Sequence, residues 1–463
     1  MKGNAKQHLK YLLLVIYGST FISGCSLLGD DDRPCFTSPA SCSTEDYNQY
    51  VYDTMKSCYY WYDEADPFNH IDPKDTIAYP TPQSLIDVLK FSSLDRFSGV
   101  GSSAVQNQFY GEGIFLGVGL RLLTDETTGD VNIAYTFVNS DAYTQGILRG
   151  ERIVEINGVP ANNLSGDAWS DAWGPREVGN EVTLLVEAAD SSQRVVTVSK
   201  SLISINSTQN SQIINNGTSK VGYLHFTNFL GSTAINDLNT TFANFANNNV
   251  SDLIVDLRYN GGGRVSTASH LGSLIGGDKT SNSLFSKLIY NNNPQGFNGY
   301  TESTFFSTQA NALNLSRVIF ITSGSSCSAS ELVINSLIPN PDIEVVVVGS
   351  ASCGKPVGSV PQSHCGNSLS VINFEIKNSA DQGQYFNGIS SGYSGLTAFC
   401  EATDDISTAL GDSNESSVSA ALSYINTSQC SVATVKSAKR YKLLNRDSQT
   451  NRLEGITGYE GIY

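Results

Sequence analysis

The sequence has no basic patch, no cysteine or histidine pair at metal spacing, no recognisable catalytic histidine and no apolar run long enough to cross a membrane. Each absence removes a class of function. Lys and Arg total 28 against 44 Asp and Glu, for a formal charge of −16. A nucleic-acid-binding surface is therefore excluded, and an acidic, exported surface is expected. The cysteines form no C-x-x-C pair and the histidines no cluster, so neither metal nor cofactor is expected. His225, His270 and His364 stand in no motif of a Ser–His–Asp type, and His225 lies in an apolar strand, where a core role is expected. The apolar run Tyr11–Tyr17 falls well short of the roughly 20 residues of a spanning helix.

What the N-terminus does have is a targeting pattern. Lys2, Lys6 and Lys10 precede the apolar run, and Ser23-Gly24 precede Cys25. Ile22-Ser23-Gly24-Cys25 resembles the bacterial lipobox, which implies lipidation (palmitate) of Cys25 as the new N-terminus; Ser26 implies sorting to the outer membrane. The alternative is an ordinary secretory leader with an incidental cysteine. Loss of the leader with its three lysines takes the charge from −16 to −19. The other eight cysteines (Cys35, Cys42, Cys58, Cys327, Cys353, Cys365, Cys400 and Cys430) are an even number in an exported chain, which suggests disulfides among 105 possible pairings. Cys353 has two simple partners, Cys327 and Cys365.

Along the chain, Tyr47, Tyr50, Val51, Thr54 and Met55 recur at helical spacing, and Ser84–Leu89 after Pro80-Thr81-Pro82 reads as a second helix. The aromatic cluster Cys58–Tyr62 between them is expected to be core. From about Gly113 the period becomes strand-like. Ser140–Val159, with a short helix, a glycine-bounded turn, a strand and an Asn157-Gly158 hairpin, is similar to PDZ domains, apart from Glu151 where an aspartate is usual. That resemblance implies capture of a peptide C-terminus by strand addition, with Leu116, Gly117, Val118 and Gly119 as the carboxylate loop. From about Ser204, strands and helices alternate as in an α/β domain.

Three stretches of this last region carry chemistry: Asn260-Gly261-Gly262-Gly263, Ser328-Ala329-Ser330-Glu331 and Gly354-Lys355-Pro356. Each follows a buried strand, where open α/β sheets place their sites. Ser328 is the candidate nucleophile and Lys355 its base, provided that burial keeps the amine neutral. Gly261, Gly262 and Ala329 are the expected oxyanion donors. Taken singly, each stretch reads as a helix cap, a turn or a loop; together and in this order they read as an acyl-transfer site.

From Tyr47 to Cys430 the chain resembles the carboxyl-terminal processing peptidases, or tail-specific proteases. The resemblance implies a multidomain α/β fold: a ClpP/crotonase-like protease core with a PDZ domain and a small helical N-terminal domain. The implied units are a leader (1–24), a tether (25–43), a helical domain (44–110), a PDZ-like domain (111–203), the core (204–430) and a disordered polar tail (431–463). It also implies a Ser328/Lys355 dyad supported by Glu331 and Ser352, with protein tails as substrates. Departures are the longer segment before Asp342 and the Ser-Cys-Gly-Lys-Pro form of the lysine motif, which fits a disulfide-bearing, lipoprotein-like branch. Cys400 and Cys430 flank a helical segment, Ser416–Tyr424, and are expected to pair. The reading is thus a lipid-anchored serine endopeptidase of the cell envelope. The alternatives are a non-catalytic peptide-binding scaffold and an acyl-CoA enzyme on the related fold.

Overall fold

The computed structural model describes residues 35, 37–64, 68–230, 233–431 and 441–444. The leader, Cys25 and most of the polar tail lie outside the described residues.

The helix Thr44–Cys58 begins where the Ser43 hydroxyl accepts the Asp46 N–H, and Thr81 caps Pro82–Leu89 in the same way. Tyr47, Tyr50, Tyr59 and Trp61 are buried with Leu85, Ile86 and Leu89, so the aromatic cluster is core as expected. The same cluster includes Val357, Leu369, Val371 and Ile372 from the C-terminal half. The helical unit is therefore packed onto the α/β domain, and the disulfides Cys35–Cys58 and Cys42–Cys365 anchor it.

An inserted domain follows. Its entry strand Ile114–Gly117 pairs antiparallel with its exit strand Ser201–Ser204. Between them Leu120–Asp125, Val131–Thr136, Arg152–Ile156, Glu181–Glu187 and Gln193–Ser199 form an antiparallel sheet in that order, and the helix Gly166–Trp173 buries Trp169 in its core. Gly119 (φ 89°) lies between the strands Ile114–Gly117 and Leu120–Asp125, and a Cβ there would lie 2.0 Å from the Ser140 Cβ. Asn157-Gly158 makes the expected hairpin turn, with both φ values positive.

The α/β domain is built on a six-stranded sheet in the order Thr208–Asn216, Ser219–Phe226, Asp252–Asp256, Arg317–Thr322, Glu344–Gly349, Ala398–Glu401, the last five parallel. Near-continuous apolar strands bury both faces. Leu253, Val255, Val318 and Phe320 face the helices Ala234–Asn247, Val265–Gly276 and Ala329–Leu337. Ile254, Ile319, Val346 and Val348 face the other way, onto Val418, Ala421 and Tyr424 of Ser416–Thr427. The expected Cys400–Cys430 bridge ties that helix to the sheet edge.

One expectation fails in the tail. Tyr441–Leu443 forms a strand against Leu120–Asp125, and Leu443 and Leu444 are buried. Two adjacent leucines have no helical or strand period of their own, but they become a strand once an exposed sheet edge supplies the hydrogen bonds.

Candidate active site

The strand Arg317–Thr322 leads into a tight turn that ends at Ser328, the residue before the helix Ala329–Leu337. An ordinary capping serine has extended backbone. Ser328 instead has φ 53° and ψ −109°, a conformation rare for a non-glycine residue. A strained strand-to-helix turn of this kind can present a side-chain hydroxyl at a helix N-terminus.

Glu331 joins the serine loop to the lysine loop. Its Oε2 accepts the backbone N–H of Ser328 at 3.0 Å and that of Lys355 at 2.8 Å, while Oε1 accepts the Gly354 N–H at 2.7 Å and the Ser352 hydroxyl at 2.5 Å. Ser352 in turn accepts the Ile389 N–H. Burial pushes the Glu331 carboxyl up, and these four donors pull it back. The disulfide Cys327–Cys353 closes the same two loops from the neighbouring residues. Of the two partners open to Cys353, the structure uses Cys327. Among the described residues Cys327, Glu331 and Cys353 are close enough to hold a metal, yet the two sulfurs are bonded to each other.

Lys355 is wholly buried. Burial brings its amine down to about 7, against the opposing pull of Asp95 and Glu331. Its Nζ lies 4.8 Å from the centre of the Phe97 ring. Gly354, at φ 86°, lets the loop pass so close to Phe386 that a Cβ would lie 2.2 Å from the Phe386 carbonyl oxygen.

Sequence reasoning missed the helical unit's contribution. Asp95 is buried, accepts the Tyr59 hydroxyl and the N–H groups of Phe97 and Ser98, and so fixes Phe97 over the amine. Arg96 donates to the carbonyls of Cys353 and Gly354. Nothing in the spacing of Asp95-Arg96-Phe97 announces this role, because the lysine they serve is far away in the chain.

Buried Asn260 locks the glycine run beside the serine. Its carbonyl accepts the Cys327 N–H and the Ser330 hydroxyl, and its side chain donates to the Phe226 carbonyl. A Cβ on Gly262 would lie 2.8 Å from the Ser328 Cβ and 3.0 Å from the Ala329 nitrogen, so only glycine fits there. The Gly262 N–H, however, donates to Asn260 Oδ1 at 2.9 Å. In this arrangement Gly262 allows the close approach with its N–H engaged by Asn260, while Gly261 and Ala329 are the candidate donors beside it. Beside Gly261 and Gly262 opens a small cleft walled by Phe109, Phe115, Tyr135, Phe137 and Leu230.

The remaining expected residues lie elsewhere. Leu116 and Gly117 pair with Leu202 and Ser201, Val118 is buried in the insert's core, and Gly119 abuts Ser140. Asp342 is exposed and does not join the site. His225 packs edge-on against Tyr135 and Tyr259, and burial lowers it to about 4. His270 bonds Asn239, and His364 stacks edge-on with Tyr50.

Parts of the chain are similar to known proteins. Residues 220–389 match Peptidase family S41, a span that includes the glycine run, Ser328, Glu331, Ser352 and Lys355, and residues 46–99 match the Peptidase S41 N-terminal domain. Over 272 residues the chain is 28% identical to carboxyl-terminal-processing peptidase 3, chloroplastic, of Arabidopsis thaliana, covering 56% of this chain and 49% of that protein. The chain thus spans about half the length of this curated relative. The fold is similar to the crystal structure of a Bacteroides fragilis NCTC 9343 protein described as an S41 protease, with TM-score 0.61 and 23% identity, covering 82% of this chain and 97% of that one.

Proposed function

We propose that this chain, which matches Peptidase family S41 over residues 220–389 and the Peptidase S41 N-terminal domain over residues 46–99, is a serine endopeptidase that cleaves proteins near their C-terminal tails through Ser328 and Lys355. The observation that carries this reading is the convergence of the two backbones on one oxygen: Glu331 Oε2 accepts the N–H of both Ser328 and Lys355 within 3.0 Å.

In the proposed reaction the neutral amine of Lys355 takes the proton of Ser328 Oγ as that oxygen attacks the peptide carbonyl carbon. The carbonyl oxygen becomes negative and is met by the N–H groups of Ala329 and Gly261. Lys355 then passes its proton to the departing amine as the C–N bond breaks, leaving an acyl-enzyme on Ser328. A water molecule, deprotonated by Lys355, attacks the ester carbonyl; as the C–Oγ bond breaks, Lys355 returns the proton to Ser328 Oγ and the acid is released. The aromatic cavity beside Gly261 receives an apolar side chain next to the scissile bond. The insert acts as a PDZ-like module that holds the substrate tail, and lipid on Cys25 holds the enzyme at the outer membrane.

The test is cleavage of an unfolded-tail substrate, with fluorophosphonate labelling in parallel. Ser328→Ala and Lys355→Ala should each lower kcat/KM by about 10⁴-fold or more while keeping the native circular dichroism spectrum, and Ser328→Ala should lose the label. Wild-type cleavage by either variant, or labelling that survives Ser328→Ala, contradicts the dyad. A folded protein that neither cleaves nor labels favours a peptide-binding scaffold.

A further inference from the structure

The sheet edge of the insert is already occupied, and by the chain itself. Tyr441, Lys442 and Leu443 lie opposite Asp125, Thr124 and Leu123 in an antiparallel ladder, and the Leu444 N–H donates to the Leu122 carbonyl at 3.1 Å. On its other side Leu120–Asp125 pairs with Val131–Thr136, so without the tail it would be the open edge of the sheet. The tail runs from Asp125 towards Gly119. A peptide captured by strand addition runs in the same direction, with its carboxyl end towards the glycine loop.

The two leucines divide between two apolar environments, as strand alternation requires. Leu444 is 2% exposed and belongs to the insert's own core with Val118, Leu120, Leu122, Trp169 and Ala172. Leu443 is 6% exposed and faces the boundary with the α/β domain, in one cluster with Phe115, Leu123, Tyr135, Phe137 and Tyr259. Four of the boundary aromatics, Phe115, Tyr135, Phe137 and Tyr259, also line the cavity beside Gly261 and Gly262. An extended segment with two adjacent aliphatic residues thus fills the edge groove and reaches the wall of the substrate cavity.

We propose that Tyr441–Leu444 is an intramolecular peptide ligand of the edge groove on Leu120–Asp125, so that an incoming substrate tail gains the groove only by displacing the chain's own tail. This rests on the reading of the insert as a tail-capturing module. The favoured external ligand has the same chemistry: an extended tail with two neighbouring aliphatic side chains, one for each face. A tethered competitor acts at a local concentration in the millimolar range, so free peptides bind the intact chain weakly.

The experiment uses the full chain carrying Ser328→Ala, so that no peptide is cut and the catalytic assignment does not enter. It is compared with the same protein ending at Ser431 and with full-length Leu443→Asp/Leu444→Asp. The probe is a fluorescein-labelled peptide copying residues 436–444, followed by polarisation, with hydrogen exchange read at Leu120–Asp125. Truncation and the double substitution should each raise peptide affinity by about 10-fold or more and speed exchange at Leu120–Asp125, while exchange at Asp252–Asp256 stays slow and reports an intact fold. Equal affinity in all three proteins overturns the proposal, as does unchanged exchange, which removes the self-docked strand but leaves tail capture standing on any peptide binding seen. Faster exchange with no peptide binding by any protein overturns tail capture, and self-competition with it.

Discussion

Arg258 and Lys355 are both fully buried cations of one α/β domain, and their surroundings treat the charge in opposite ways. Burial works against the charge of Arg258, but Asp256 at 2.7 Å, Glu415 at 2.7 Å and Asp404 at 3.0 Å outweigh it and hold the guanidinium well above its usual pKa. Asp404 also meets Arg149 of the insert at 2.7 Å, and Arg149 donates to the hydroxyl of Tyr259, which precedes Asn260. The arginine cluster therefore anchors both the glycine-run loop and the insert. Around Lys355 the balance falls the other way: burial dominates, Asp95 and Glu331 fail to restore the charge, and the amine settles at about 7. A cation ringed by carboxylates builds structure. A cation whose burial prevails becomes a base available at neutral pH.

Substitution separates the two roles most sharply. Arg258→Met leaves buried carboxylates uncompensated and should destabilise the fold by about 3–5 kcal/mol, readable by urea denaturation. Lys355→Met should abolish activity yet unfold no earlier than wild type, since it removes a buried amine that folding disfavours. A comparable loss of stability in both variants would erase the distinction.

The two cations also differ in linkage to pH. The folded pKa of Lys355 lies near 7, below the roughly 10.4 of an unfolded lysine. Between those values the unfolded chain binds the proton and the folded chain does not, so this group makes stability rise as pH rises from about 7 to about 10.4. Urea midpoints of wild type minus those of Lys355→Met should show that slope; a flat difference would mean that the amine is not depressed.

The disulfide between the loops should matter to rate before it matters to folding. Cys327→Ala/Cys353→Ala should lower kcat by about 10-fold or more, because small displacements of reacting groups are costly, while Glu331 still ties the loops. Undiminished kcat in the variant would show that Glu331 suffices. The smallest effect is expected at Phe97. Phe97→Ala admits water beside the amine and should move the acid limb of kcat/KM upward by about half a pH unit; an unmoved limb would show that other neighbours set the burial.

Much of this was legible in the sequence because strand, turn and helix follow one another locally. The buried strands, the helix Ala329–Leu337 and the three loops after strands fall where the apolar runs and glycines put them. The rest depends on partners distant in sequence. Asp95, Arg96 and Phe97 reach Lys355 only because the helical unit shares its core with Val357 and Leu369. The Gly262 N–H is lost to Asn260 by a side-chain rotamer that no pattern shows. Tyr441–Leu444 becomes a strand only against an edge more than three hundred residues earlier in the chain.

The central claim, that Lys355 is the neutral base for Ser328, is tested most directly by the pH dependence of fluorophosphonate labelling. The labelling rate should rise about tenfold per pH unit at acid pH and level off through a single pKa near 7, with the rise lost in Lys355→Ala. A rate that is flat across this range in wild type, or a rise that persists in Lys355→Ala, would contradict it.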